Sequence, residues 1–122
     1  MEEREKLQSK FELFPEGNYR LTYLGRSDKM QSGKSHYRTW TFSFLEDEEI
    51  KKVSFRLYPW EAEQVTIALG GRYEKDEEGD KVMVFDSDLA MENATEIKGI
   101  IFHTEYNGKK YMKLKVEADV PF

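Results

Sequence analysis

The amino-acid sequence predicts a mainly all-β fold, an antiparallel barrel of five to six strands with one α-helix between the third and the later strands. Three observations carry this expectation. Several separate stretches alternate apolar and polar residues with period two, the signature of half-buried strands. Residues 59–69 depart from that rhythm and show helical spacing instead. Asn107-Gly108, the strongest short-range hairpin signal, separates two alternating stretches near the end of the chain. With 122 residues the chain has room for one domain and one modest core, and its aromatics, 14% of the sequence, are spread along it as a packed β-rich core requires.

The elements follow in order. Residues 1–10 are a polar lead-in, and Pro15-Glu16-Gly17-Asn18 is a turn that launches a first strand from Tyr19 to Gly25. In that strand Tyr19, Leu21 and Tyr23 alternate with Arg20 and Thr22. Residues 26–35 contain a Ser-Gly, a Ser-Asp and Met30 as the one apolar residue, which predicts a long mobile loop. A second strand runs from His36 to Leu45, with Trp40, Phe42 and Phe44 on one face and Tyr37, Thr39, Thr41 and Ser43 on the other. An acidic turn, Glu46 to Glu49, leads to a third strand from Ile50 to Tyr58, in which Val53, Phe55 and Leu57 oppose Lys52, Ser54, Arg56 and Tyr58.

Pro59 suits the first turn of a helix, and Ala62, Val65, Ala68 and Leu69 recur at helical spacing before Gly70-Gly71 stops it. Lys81 to Phe85 is expected as a short strand or edge piece, and residues 86–95 as holding a helical turn. Two strands remain, Glu96 to Tyr106 and Lys110 to Ala118. Three strands, a helix and a closing hairpin, without any parallel βαβ rhythm, match the OB barrel. The organisation is therefore a lead-in at 1–10, an OB-fold domain at 11–118 and a C-terminal tip at 119–122.

The sequence has no cysteine, which excludes disulfides, thiolate metal sites and cysteine nucleophiles and suits a reducing, cytoplasmic setting. No apolar run reaches membrane-spanning length, and Met1 to Lys10 is charged where a signal peptide would be apolar, so no membrane association is expected. The net charge of −5 argues at first against a nucleic-acid binder. Its distribution argues the other way: acids concentrate at 46–49, at 74–80 and at Glu2, Glu3 and Glu5, whereas Arg20, Arg26, Lys29, Lys34 and Arg38 face only Asp28, and Lys109, Lys110, Lys113 and Lys115 form a second basic cluster.

Phe14-Pro15-Glu16-Gly17-Asn18-Tyr19, Ser32-Gly33-Lys34 before a strand, the Trp60 helix ending in Leu69-Gly70-Gly71, and Lys98-Gly99 before the last hairpin recur here in a characteristic order. In that order and spacing, from about Phe14 to Val116, the sequence resembles a family of small bacteriophage proteins that bind single-stranded DNA. The resemblance implies an OB fold and a role with unpaired strands in phage-type DNA replication or recombination, in the host cytoplasm. The end, Ala118-Asp119-Val120-Pro121-Phe122, resembles the acidic Pro-Phe tip of bacterial single-strand-binding proteins, which implies recruitment of replication or recombination proteins through Asp119, Pro121 and Phe122.

Sequence-tolerant single-strand binding combines a basic groove with aromatic platforms, each stacked base contributing about 1–3 kcal/mol. The outer face supplies these types: Arg20, Lys52 and Arg56 for phosphates, Tyr37 and Tyr58 for bases, with Thr39, Thr41 and Ser43 between them. The loop cations Arg26, Lys29, Lys34 and Arg38 flank the face, and the hairpin adds Lys109, Lys110, Tyr111, Lys113 and Lys115. The same residue types also keep a wet strand face soluble. Trp40, Phe42, Phe44, Phe55 and Phe102 are expected in the core, and Trp60 is expected to pack the helix onto the barrel.

Other chemistries find less support. Gly33-Lys34-Ser35 has Asp28 where a phosphate-binding P-loop needs glycine, and a strand follows where that motif needs a helix. His36 and His103 are too far apart to suggest a metal site, Asp86 and Asp88 fit a helix cap better than a calcium loop, and no nucleophile is paired with a base. No catalytic activity, cofactor or metal is expected. Two other functions stay open: an adaptor module that binds protein on the same barrel, and an inhibitor whose carboxylates mimic nucleic acid. One OB barrel covers only about 4–16 nucleotides, so a homo-oligomer is expected.

Overall fold

Alternation along the chain decides which side of each strand meets water, and the register decides which strands share a face. A computed structural model describes residues 13–116; the lead-in at 1–10 and the tip residues Asp119, Pro121 and Phe122 lie outside the described residues. The elements are β1 (Gly17–Arg26), β2 (Met30–Ser32), β3 (Ser35–Glu46), β4 (Glu49–Leu57), α1 (Pro59–Ala68), β5 (Arg72–Lys75), β6 (Lys81–Val84), α2 (Ser87–Glu92), β7 (Glu96–Tyr106) and β8 (Lys109–Lys115).

β3 pairs with three other strands of a six-stranded antiparallel sheet. One edge of it carries β4, from Arg38↔Leu57 to Glu46↔Glu49. The other edge carries β1 and, beyond it, β2, which pairs Met30 with Tyr37. β1 pairs in turn with β7, and β7 with β8. The order β4-β3-β1-β7-β8 is that of an OB barrel, with α1 between the third and fourth barrel strands. The sheet is not closed: among the described residues no ladder joins β4 to β8. A side chain spans that seam instead, the Lys113 ammonium donating to the Arg56 carbonyl at 2.7 Å.

The inward faces are those expected. Leu21, Tyr23, Trp40, Phe42, Phe44, Val53, Phe55, Leu57, Ile101 and Leu114 are buried, and complete burial of each large side chain contributes about 1.5–3 kcal/mol. The aromatics meet edge-on, as ring quadrupoles favour: Phe14 and Tyr19 each lie 5.1 Å from Phe44. The buried Tyr23 phenol keeps a partner, 2.7 Å from the Ser87 hydroxyl. Between Tyr23 and Gly25 the pairing with β3 slips by one residue, a bulge that leaves Leu24 exposed. Gly25 there has φ +131°, a backbone conformation that favours glycine, and the Met91 sulfur would lie 3.2 Å from a Cβ at this position.

Several details correct the expectations. The segment 26–35 is not a plain loop: β2 folds back on the start of β3, because a short polar edge hairpin needs no apolar residues to pair its backbone. The described residues hold two helices, and the helical turn expected at 86–95 is the short helix α2, whose first turn is capped by the Asp86 carboxylate accepting from the Leu89 N–H at 3.0 Å. The strand at 81–84 has a partner, β5, in a separate two-stranded sheet whose acidic turn is held by Asp76 accepting from the N–H groups of Glu78 and Asp80. On α1 it is Thr66, not Ala68, that joins Ala62 and Val65 in burial, its hydroxyl donating to the Ala62 carbonyl. Phe102 is only half-buried, with the Lys115 ammonium 5.7 Å from its ring. Trp60 is not core at all: it is 67% exposed.

Candidate nucleic-acid interface

Register and pleat together build one polar surface on the outside of β3 and β4. Thr39 stands opposite Arg56, Thr41 opposite Ser54 and Ser43 opposite Lys52. Thr41 and Ser54 hydroxyls meet at 3.0 Å, which fixes the middle of the surface. The β7–β8 hairpin, turned by Asn107 and Gly108 at positive φ, brings Lys109, Lys110 and Tyr111 beside it. A cleft of about 580 Å³ lies between them. Among the described residues its lining holds five cations, Lys52, Arg56, Lys109, Lys110 and Lys113, and no carboxylate. The two densest groups of acids among the described residues lie elsewhere, about the β3–β4 turn at Glu46 to Glu49 and about the β5–β6 turn at Glu74 to Asp80.

At the end of β4 the surface becomes aromatic. Tyr37 meets Tyr58 edge-on at 6.1 Å, and Tyr58 stacks on Trp60 with parallel rings 4.8 Å apart. The Arg56 guanidinium lies 5.6 Å from the Tyr37 ring centre and the Lys113 ammonium 5.4 Å from that of Tyr58, so cations and π-faces already alternate here. Tyr58 is held on both sides, its hydroxyl 3.2 Å from that of Ser32 and its backbone N–H donating to the Glu61 carboxylate at 2.9 Å.

Lys113 has a structural task besides its charge, because it also pairs with Glu61 at 3.0 Å. Its ammonium is thus committed to the seam, and what it adds to the cleft is field.

The remaining cations expected at the interface do not join this cleft. Arg20 sits on the outer side of β1, 3.5 Å from the Glu96 carboxylate. Lys34 is exposed next to the β2–β3 turn, and Lys115 lies against Phe102. Arg26, Lys29 and Arg38 line a second cleft, at the end of the barrel between the start of β3, α1 and the β5–β6 hairpin. The basic stretch from Arg20 to Arg38 is therefore split between separate places, since alternation sends Arg26 and Arg38 to the opposite side of their strands from Tyr37.

Trp60 is the site residue that the sequence reading missed, and the signal was present. Its spacing from Ala62, Val65 and Leu69 places it on the far side of α1 from the buried stripe. Among the described residues no group of three or more His, Asp or Glu is placed to hold a metal ion. His103 is tied to the chain start instead, its Nε2 lying 2.7 Å from the Phe14 carbonyl. Among the described residues no helix is long and apolar enough to cross a membrane. Comparison of the chain with models of known families, with curated proteins and with solved structures finds no match.

Proposed function

We propose that the chain binds single-stranded DNA with little sequence preference, along the cleft between the outer face of β3–β4 and the β7–β8 hairpin. The observation that carries this reading is the lining of that cleft: among the described residues it holds five cations and no carboxylate, in a chain whose net charge is −5. A surface kept for solubility alone gives no reason to sort the signs in this way. Lys52, Arg56, Lys109 and Lys110 take backbone phosphates, Thr39, Thr41 and Ser54 donate hydrogen bonds, and Tyr37, Tyr58 and Tyr111 offer ring faces to bases. Stacking of that kind needs unpaired bases, whose faces a duplex hides. The resemblance to phage single-strand binders supports the same reading and suggests service in replication or recombination.

Fluorescence polarisation of a labelled oligo-dT tests it. Lys52→Glu places a carboxylate in the cleft at an exposed position and is expected to weaken binding several-fold while leaving the melting temperature unchanged. Tyr58→Ala removes a stacking platform worth about 1–3 kcal/mol, a loss of roughly 5- to 150-fold. Unchanged affinity in both variants would discard the cleft, and no binding of the parent chain at low salt would favour an adaptor that binds protein.

A further inference from the structure

The second cleft, of about 690 Å³, shares no lining residue with the first, and the two surfaces meet only where its rim residue Trp60 stacks on Tyr58. Its inner wall is made by two aromatic rings, Trp40 and Phe85, nearly parallel at 27° and 6.1 Å apart. The Arg26 guanidinium rests on both, 5.2 Å from one ring centre and 5.0 Å from the other. Arg38 lies beside it and Lys29 contributes a third cation. Among the described residues no carboxylate pairs with Arg26 or Arg38. Arg38 donates only to the Ser27 carbonyl, and the one acid in the lining, Glu63, already accepts from the Tyr73 hydroxyl.

Such an arrangement is costly when nothing neutralises it. Burial first, and the neighbouring Arg38 charge second, pull the Arg26 pKa below its ordinary value, although a guanidinium stays charged at any physiological pH. Trp40 adds a second cost, because its indole N–H is buried without an acceptor among the described residues. Adjacent guanidiniums match the oxygens of a phosphate, which each of them can hold in a two-pronged grip. The cleft is far larger than a phosphate and within the range of small-molecule sites. Its rim carries the exposed indole of Trp60, a flat platform of the kind on which a nucleobase stacks.

We propose that this second cleft is a nucleotide site, in which Arg26 and Arg38 hold a phosphate and Trp60 stacks the attached base. The phosphate comes either from a free mononucleotide or from the phosphorylated end of a strand. Both tryptophans of the sequence, Trp40 and Trp60, line the cleft, so the intrinsic fluorescence of the full chain reports on its occupancy.

The test is a fluorescence titration with thymidine 5′-monophosphate, thymidine and inorganic phosphate in parallel. The nucleotide is expected to change the emission saturably and to bind at least about tenfold more tightly than either fragment, as one good charge-assisted contact implies. Arg38→Gln and Lys29→Gln, checked for an unchanged melting temperature, should each weaken it. Lys52→Glu should leave it alone, which separates this site from the first cleft. Competition by 5′-phosphorylated oligo-dT, but not by the hydroxyl-ended strand, identifies the strand end as the source; competition by neither identifies the free nucleotide. No saturable change, equal binding of thymidine, or full binding by both cation variants would overturn the proposal.

Discussion

Lys113 connects the Arg56 carbonyl, the Glu61 carboxylate and the ring of Tyr58, and so holds β8 to the end of β4 and the start of α1. At a neighbouring point in the core, a missing side chain does the fitting. Gly99 faces inward on β7, where a Cβ would fall 2.6 Å from a Leu114 methyl and 3.2 Å from one of Leu21. Both leucines are buried and cannot step aside without moving the strands that carry them. Gly99→Ala is therefore an overpacking change, expected to cost about 1–3 kcal/mol. At roughly 4 °C per kcal/mol for a domain of this size, thermal unfolding followed by circular dichroism resolves it. A melting temperature equal to that of the parent would show that the seam between β1, β7 and β8 is looser than described.

Among the elements, two hairpins solve the same problem with different residues. The β7–β8 turn uses Asn107 and Gly108, which adopt positive φ at little cost. The β3–β4 turn puts Asp47 at φ +50° and Glu48 at φ +67°, and a glutamate in that region is strained by about 1–2 kcal/mol. Glu48→Gly relieves the strain and loses some of the gain to chain entropy, so a net stabilisation of about 0.5–1 kcal/mol is expected. Urea unfolding should show a higher midpoint at an unchanged slope; a lower midpoint would contradict the assigned turn.

The long strands were legible because each alternates over many residues against one core, and the Asn-Gly hairpin because few other conformations suit that pair. β2 and β5 were not, since three or four residues, most of them polar, pair through the backbone without leaving an alternating pattern in the side chains. The candidate interface was legible in part. Lys52, Arg56, Tyr37 and Tyr58 share one face because β3 and β4 are in register, which alternation alone foreshadows, and Tyr37 meets Arg56 and Tyr58 at one end of it. The division of the basic stretch was hidden, because it depends on where the barrel ends and which inward positions open onto a cleft. Trp60, expected to pack α1 onto the barrel, is instead turned to solvent by its place on the helix opposite Ala62, Val65 and Leu69.

For the molecule as a whole, the sum of charges says less than their sorting. Acidic turns hang at two edges, while two separate clefts gather cations against aromatic rings, one along the outside of the sheet and one at the barrel's end. An outer cleft that binds an unpaired polynucleotide by its phosphates has a thermodynamic signature that an adaptor lacks. That signature is read from the affinity of the full chain for oligo-dT as salt is raised. If Lys52, Arg56, Lys109 and Lys110 each neutralise one phosphate, the log-log slope is expected near about −3, at roughly −0.7 per contact on a single strand. Binding that does not weaken with salt, or no binding even at low salt, would refute a phosphate-led grip in the outer cleft.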